Sequence, residues 1–285
     1  MKLLSKFAIL TLVVIVSVQS LASQTIRLAT YNIKYDDTRD TVNNWSRRKA
    51  EVAGLINYHQ FEVFGVQEAL HHQLQQLKEP LPDFNYVGVG RDDGKQKGEY
   101  SALFYNSRQY SVEQSGTFWL SKTPQSPSKN WDAALPRICT WAQLEHKASR
   151  SKFYVFNTHF DHRGVKAREE SAKVIMNKIT ELTQNEPVIL MGDFNFISTD
   201  APYAVITKKL SDTYLNSETV PYGPEATFNA FQFHKLPEVR IDYIFTKGAI
   251  KTMSYATLSD SKNMLYPSDH FPVIVELRFG HTPGN

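Results

Sequence analysis

The stretch Val188-Ile189-Leu190-Met191-Gly192-Asp193-Phe194-Asn195 joins a strand to a piece of chemistry. Val188 to Met191 is a short unbroken apolar run, the pattern of a strand buried on both faces. Directly behind it come a carboxylate, Asp193, and an amide, Asn195. The same arrangement recurs on either side. Ile26 to Ile33 reads as a strand that delivers Asn32, and Val63 to Val66 leads through Gln67 to Glu68. Phe153 to Asn157 leads to His159 and Asp161. Asp242 interrupts the strand Ile241 to Phe245, and Asp269-His270 immediately precede the strand Val273 to Leu277. Tyr100 to Tyr105, Phe118 to Leu120 and Ile138 to Leu144 add aromatic and β-branched strands.

Two helices stand out between the strands. From Ser46, Val52, Leu55 and Ile56 share one face, with Arg47, Arg48 and Glu51 off it. From Val165, Ala172, Ile175, Met176, Ile179 and Leu182 recur at helical spacing while Lys173, Asn177, Lys178 and Glu181 turn outward. Such stripes are core packing and carry no chemistry. Strands outnumber helices, and no repeat or long linker divides the chain. This mixture implies sheets packed on each other and covered outside by helices, in one domain. The Pro- and Ser-rich stretch Ser121 to Lys129 is short and reads as a surface loop.

The N-terminus is read separately. Lys2 and Lys6 precede an apolar run from Phe7 to Val16, followed by small residues at Ser20, Ala22 and Ser23. That order is the layout of a secretory signal peptide over residues 1–23. An N-terminal membrane anchor is the alternative, but a bilayer span needs about 20 apolar residues. The mature domain is expected over residues 24–285, exported to the periplasm or secreted. Loss of Lys2 and Lys6 takes the formal charge from +3 to 3 − 2 = +1. A near-neutral chain argues mildly against non-specific nucleic-acid binding, which draws on a basic excess. The one cysteine, Cys139 between Ile138 and Thr140, reads as a buried apolar residue.

Taken singly, the polar strand ends have ordinary structural explanations. Asp269 could start a turn after Pro267, Asn32 could precede a turn, and His159 could be a satisfied core histidine. Six endings of matching chemistry in one domain reverse that balance. Hard oxygen donors from Glu68, Asp269, Asn32 and Asn195 suit Mg²⁺ or Mn²⁺, and without a Cys cluster or a His-x-x-x-His pair a zinc site is disfavoured. Histidines supply acid–base function near neutral pH, and an Asp aimed at a His ring fixes its tautomer.

At Thr30-Tyr31-Asn32, Val66-Gln67-Glu68, Asn157-Thr158-His159, Gly192-Asp193-Phe194-Asn195, Ile241-Asp242-Tyr243 and Ser268-Asp269-His270, the sequence resembles the endonuclease/exonuclease/phosphatase superfamily of DNase-like metal-dependent hydrolases. The matching stretches follow the family's order across almost the whole mature chain. The resemblance implies an α/β (α+β) fold, a four-layered α-β-β-α sandwich of two mostly antiparallel sheets flanked by helices. It implies Glu68 as principal metal ligand, helped by Asn32 and Asp269. Asp193 would orient or activate the attacking water, and Asn195 would hold that water or a phosphate oxygen. His270, oriented by Asp242, would face the scissile phosphate, with His159 as a second catalytic histidine. Arg137 falls where such proteins carry a phosphate-contacting arginine, a surface salt bridge being its alternative. Phe228 and Asn229, in Thr227-Phe228-Asn229, resemble the family's cleft-wall loop. Asp161, with His162, Arg163 and Arg168, either shapes a small anionic pocket or caps the helix that follows.

The expected activity is Mg²⁺- or Mn²⁺-dependent hydrolysis of a phosphoester by in-line attack of an activated water. The substrate would be a small-molecule or lipid-headgroup diester or monoester. A secreted nuclease is the alternative, and a non-catalytic binding module a more distant one. No dense basic run with interleaved aromatics is present to track a nucleic-acid backbone. The mature protein is expected to be a monomer without a membrane span.

Overall fold

The computed structural model describes residues 25–280; the leader expected over residues 1–23 lies outside them. The elements run β1 (Thr25–Asn32), α1 (Trp45–Tyr58), β2 (Val63–Ala69), α2 (His71–Lys78), β3 (Phe84–Val87), β4 (Tyr100–Asn106), β5 (Tyr110–Trp119), β6 (Ile138–His146), β7 (Lys152–His159), α3 (Val165–Leu182), β8 (Val188–Asp193), α4 (Ala201–Thr207), β9 (Ser211–Asp212), β10 (Asp242–Lys247), β11 (Ile250–Thr257) and β12 (Val273–Phe279). They build two six-stranded sheets, ordered β11-β12-β1-β2-β4-β3 and β5-β6-β7-β8-β10-β9. Each sheet has one parallel pair, β1 with β2 and β7 with β8, and is otherwise antiparallel. A parallel pair needs a crossover, and α1 and α3 supply it.

The layers follow from the two-residue period of a strand. Ile26, Leu28, Val63, Leu103, Val155, Ile189, Met191, Ile244 and Val275 face between the sheets. Tyr31, Phe64, Val66 and Phe104 pack outward against α1 and α2. Phe156, Leu190, Tyr243 and Phe245 pack outward against α3 and α4. The result is the expected four-layered sandwich, with α2, α4, β3, β9, β11 and most of β5 beyond the elements foreseen. Asp242 opens β10 rather than interrupting it, and Ile241 lies before that strand. Cys139 is buried, and burial pushes its thiol well up.

One buried polar bridge ties the sheets together. The β2–β4 ladder shifts register between Val66 and Ala69. Asn157 of β7, fully buried, donates to the carbonyls of Val66 at 3.0 Å and Ala102 at 2.8 Å, and accepts from Gln67 Nε2 at 2.6 Å. Gly65 makes room for it, since a Cβ there would run into the Asn157 amide. Asn157→Leu should strand three polar groups between the sheets. At about 1–3 kcal/mol for each unsatisfied group, the expected loss is about 3 kcal/mol or more in urea unfolding. A loss below about 1 kcal/mol would show that the bridge is dispensable.

Candidate active site

The space between the sheets opens at one end, and stepping by two along the inward faces leads from core to site. Leu28 and Thr30 lead to Asn32, Val155 and Asn157 to His159, Ile189 and Met191 to Asp193, and Ile244 back to Asp242. Because β1/β2 and β7/β8 are parallel, their C-terminal ends share this edge. In the second sheet His159 pairs with Asp193, and Asp193 with Asp242, so three functional side chains stand in a row. Gly192 is required just before this row, at φ 151, where a Cβ would run into the Thr158 carbonyl.

Glu68 reaches the site differently. Val66 faces outward and Gln67 inward, so a regular strand would point Glu68 at the helices. Its left-handed backbone, φ 63, at the register shift turns it into the cleft instead. Lys34 (φ 57) and Asn195 (φ 50), which also line the cleft, share this disfavoured conformation, and such strain collects at functional sites.

The cleft, about 480 Å³, is lined by Lys34, Tyr35, Glu68, Glu99, Leu135, Arg137, His159, His162, Asp193, Asn195, Phe228, Ile241, Asp269 and His270. Asp193 lies at its centre. Asn32 Nδ2 donates to Asp193 Oδ2 at 2.9 Å, and Nε2 of His159 and of His270 lie 3.4 Å and 3.7 Å from the same oxygen. Burial and the neighbouring Asp242 push the Asp193 carboxyl up to about 7. Asp242, itself buried, lies 2.9 Å from His270 Nδ1. Burial pulls His270 down, but the negative charges of Asp242 and Asp193 outweigh it and raise the ring to about 10. Burial, with Arg137 and Arg91 nearby, holds His159 well below its usual value. The two histidines flanking Asp193 are thus pushed in opposite directions. Phe228 packs edge-on against the His270 ring at 5.0 Å. Asn195 donates from its side chain to the Phe160 carbonyl at 3.1 Å and from its backbone to Asp193 Oδ1 at 3.0 Å.

Glu68 and Asp269 face a common gap, and Lys34 Nζ sits in it, 3.5 Å from Glu68 Oε2 and 3.4 Å from Asp269 Oδ2. Burial raises the Glu68 carboxyl, but Lys34 and His270, with hydrogen bonds from Asn32 and the Tyr35 backbone, bring it below the usual range. A place that draws an ammonium between two carboxylates fits a hard divalent cation, and the all-oxygen donors suit Mg²⁺ or Mn²⁺. Asn32 turns its amino group, not its oxygen, to Glu68 Oε1 at 3.1 Å, while its oxygen accepts from the Lys34 backbone. As oriented it braces the carboxylates, and ligation would require the amide to turn over. Asp193, Asp242 and His270 also have potential ligand atoms within 4.8 Å of one another. His270 Nδ1 engages Asp242 Oδ2 there, Asp242 Oδ1 has no hydrogen-bond partner, and His270 Nε2 lies 3.7 Å from Asp193. The trio is therefore a hydrogen-bonded Asp–His pair facing a second carboxylate.

Of the remaining expected residues, Arg137 lines the cleft and is no surface ion pair. It is buried, 3.4 Å from Asp161 Oδ2 through Nε and 2.9 Å from His162 Nδ1 through Nη2, with Nη1 unpartnered. Asp161 and Asn229 lie behind the wall. Asp161 accepts from the backbones of Leu135, Arg163 and Gly164, which braces Arg137 and the start of α3. Arg168 donates to its carbonyl. Asn229 bonds the Ser268 carbonyl and the Phe231 backbone, and its own N–H donates to the Asp269 carbonyl. Lys34, Glu99, Tyr35 and Ile241 complete the wall without having been foreseen.

The Asp161 cage implies a pH dependence. Burial raises its carboxyl, but the backbone donors lower it well below the usual range. A folded value below the unfolded one adds stability that is present above the unfolded pKa and is lost as pH falls toward the folded one. Asp161→Asn should therefore flatten the acid limb of stability measured by urea unfolding from about pH 6 to pH 3. An unchanged slope would contradict this account.

Two carboxylates facing a common gap, beside a carboxylate-supported histidine and a second buried one, are equipment for cleaving phosphate esters, here mounted on a two-sheet sandwich. The chain belongs to the Endonuclease/Exonuclease/phosphatase family, whose pattern it matches over residues 29–270. It is 41% identical to a family member of known structure from Bacteroides thetaiotaomicron, with a TM-score of 0.87 over 91% of this chain and 99% of that one. It is 42% identical to the mannosyl-6-phosphatase Bt3783 of Bacteroides thetaiotaomicron VPI-5482, with a TM-score of 0.86 over 89% and 100%. It is also 26% identical to the uncharacterized protein L388 of Acanthamoeba polyphaga mimivirus, over 82% of this chain and 92% of that protein.

Proposed function

We propose that the protein is an exported, Mg²⁺- or Mn²⁺-dependent phosphomonoesterase acting on a small polyhydroxylated phosphate ester of the sugar phosphate class. The observation that carries this reading is the Asp242–His270 pair beside Asp193, opening on the Glu68–Asp269 gap in one cleft. The mannosyl-6-phosphatase relative, matched over its whole length, supports the monoester class, and the leader expected over residues 1–23 supports export. The cleft has the size of a small-ligand site. Among its described lining residues the Lys and Arg side chains are Lys34 and Arg137, and carboxylates already engage both. That arrangement favours a compact ester over a nucleic-acid strand.

Glu68 and Asp269 would hold the ion, which polarises a phosphoryl oxygen and offsets the charge that builds up in the displacement. The protein's own groups do the rest. Asp193, with its carboxyl raised toward neutrality, takes a proton from the attacking water. Protonated His270, held by Asp242, donates to a phosphoryl oxygen. Asn195 is fixed by the Phe160 carbonyl beside the water's path. The proton that Asp193 takes from the water is returned to the departing alkoxide, so the alcohol leaves neutral and Asp193 is reset. The buried ring of His159, 3.4 Å from Asp193, hydrogen-bonds that leaving side, and Arg137 offers its unpartnered N–H to an equatorial oxygen.

The test is hydrolysis of hexose 6-phosphates (mannose 6-phosphate among them), p-nitrophenyl phosphate, bis-p-nitrophenyl phosphate and plasmid DNA, with Mg²⁺ and with EDTA. Metal-dependent turnover of the monoesters at least about 10-fold above the diester is expected, since transition-state fit sets kcat/KM. Diester preference or plasmid nicking would overturn the monoester assignment. Full activity in EDTA would overturn the metal.

A further inference from the structure

Glu99 is a carboxylate in a cleft built for an anion, and neither the metal gap nor the histidine pair uses it. It lies just before β4, one inward step beyond Leu103 and Ser101, and so points into the same space as Asn32 and Asp193. The 88–99 loop is built to hold it. Gly90 and Asp92 donate to the carbonyls of Lys95 and Lys97, and Asp93 accepts from the backbones of Lys95 and Lys97. Trp119 Nε1 donates to the Arg91 carbonyl at 2.7 Å and fastens the loop to β5. Arg91, itself buried, grips Glu99 with a two-pronged ion pair, Nη1 to Oε2 at 2.6 Å and Nη2 to Oε1 at 2.8 Å.

Three roles can be set against this geometry. As a metal ligand Glu99 would compete with a guanidinium already bound to both of its oxygens. As the partner that orients His159 it is too far away, with Oε2 4.0 Å from Nδ1. The role that fits is acceptance of hydroxyl hydrogens. Each oxygen keeps a lone pair beyond the arginine, the group is acceptor-only, and its two oxygens match two neighbouring hydroxyls. Arg91 offsets its charge, which limits repulsion of the phosphate bound across the cleft. A second phosphate or a polyanionic strand at this wall would meet that carboxylate directly.

We propose that Glu99, gripped from behind by Arg91, is the specificity-determining acceptor for hydroxyl groups on the alcohol part of the substrate. It selects a polyol phosphate over esters whose alcohol lacks hydroxyls or carries further phosphates. The inference rests on the phosphomonoesterase reading above and specifies what that cleft recognises.

The experiment compares kcat and KM for hexose 6-phosphates and for p-nitrophenyl phosphate, whose alcohol part has no free hydroxyl, in the wild type, Glu99→Gln and Glu99→Ala. Glu99→Ala should lower the sugar phosphate to p-nitrophenyl phosphate ratio of kcat/KM by about 30-fold, the scale of hydrogen bonds to a charged acceptor. Most of that change should appear in KM, with p-nitrophenyl phosphate within about 3-fold of wild type. Glu99→Gln keeps one acceptor for Arg91 and guards against a folding defect. It should lose about 5-fold in the ratio, with an unshifted pH profile. A ratio unchanged in both variants overturns the proposal, as does a parallel loss on both substrates or a shifted pH profile, which would make Glu99 a structural or His159-positioning residue. Wild-type protein inactive on every monoester would instead overturn the phosphomonoesterase reading, and this inference with it.

Discussion

Asp242→Asn is expected to lower kcat on a phosphomonoester by about 10³- to 10⁴-fold while leaving the fold intact. The magnitude is that of replacing the aspartate that orients a catalytic histidine in a hydrogen-bonded triad. Asp242 is buried, and one of its oxygens lies 2.9 Å from His270 Nδ1. An asparagine of the same shape can present its amino group to Nδ1, which favours the wrong tautomer and removes the charge that raises the ring to about 10. His270 then loses its proton in the working pH range and can no longer donate to a phosphoryl oxygen. Stability should fall, because the substitution removes the buried charge that raises His270, a loss only partly offset by relief of the repulsion between Asp242 and Asp193. The checks are kcat at saturating substrate, the pH–rate profile and a thermal melt. A loss below about 10-fold with an unshifted profile would remove Asp242 from the mechanism.

The same residues indicate how far the sequence can be read unaided. Buried strands such as Val188–Asp193 declare themselves because an apolar run behind a parallel pair needs no partner to be recognised. The overlooked elements are those whose signal depends on a neighbour. β11, Ile250–Thr257, is an edge strand with Lys251 and Ser254 among its residues and a register shift after Thr252. The middle of β5, Glu113 to Ser115, is exposed on the other sheet's edge. α2 offers only Leu74 and Leu77 as apolar anchors, and its buried Gln73 is spent on the backbones of Asp36, Leu70 and Lys34.

The site divides along a similar line. Residues that end or open buried strands were visible because chemistry replaced hydrophobicity at an abrupt boundary. Glu99 and Lys34 obey the same two-residue step, from Leu103 through Ser101 and from Leu28 through Thr30 and Asn32. Extending each inward face two residues past its strand would have found both. Asp161 and Asn229 illustrate the opposite hazard. Each sits in a motif next to site residues, yet hydrogen bonding to backbone turns both away from the cleft. Motif proximity does not tell a wall residue from the brace behind it, because that depends on which backbone donors need an acceptor.

Lys34 leads to the second large effect, on metal binding. Glu68→Gln should weaken Mn²⁺ binding by about 100-fold or more in calorimetric titration and remove most activity, because it deletes one of the two anionic donors facing the gap. Lys34→Met should act in the opposite direction on affinity. Its ammonium lies 3.5 Å and 3.4 Å from the two carboxylates and is partly shielded from water. At that range each attraction is about 4–5 kcal/mol at an effective dielectric of 20, before desolvation is subtracted. An ion entering the gap must displace that charge or share the carboxylates with it. Removing the ammonium should therefore tighten Mn²⁺ binding by about 10-fold, the equivalent of about 1.4 kcal/mol. The same change leaves two like charges facing each other without a counter-ion, so the metal-free variant should melt below the wild type and regain the difference on adding Mn²⁺. If Lys34→Met leaves both the affinity and the metal-free melting temperature unchanged, the ammonium and the ion do not share the gap. If Glu68→Gln binds Mn²⁺ as the wild type does, the cation site lies elsewhere in the cleft.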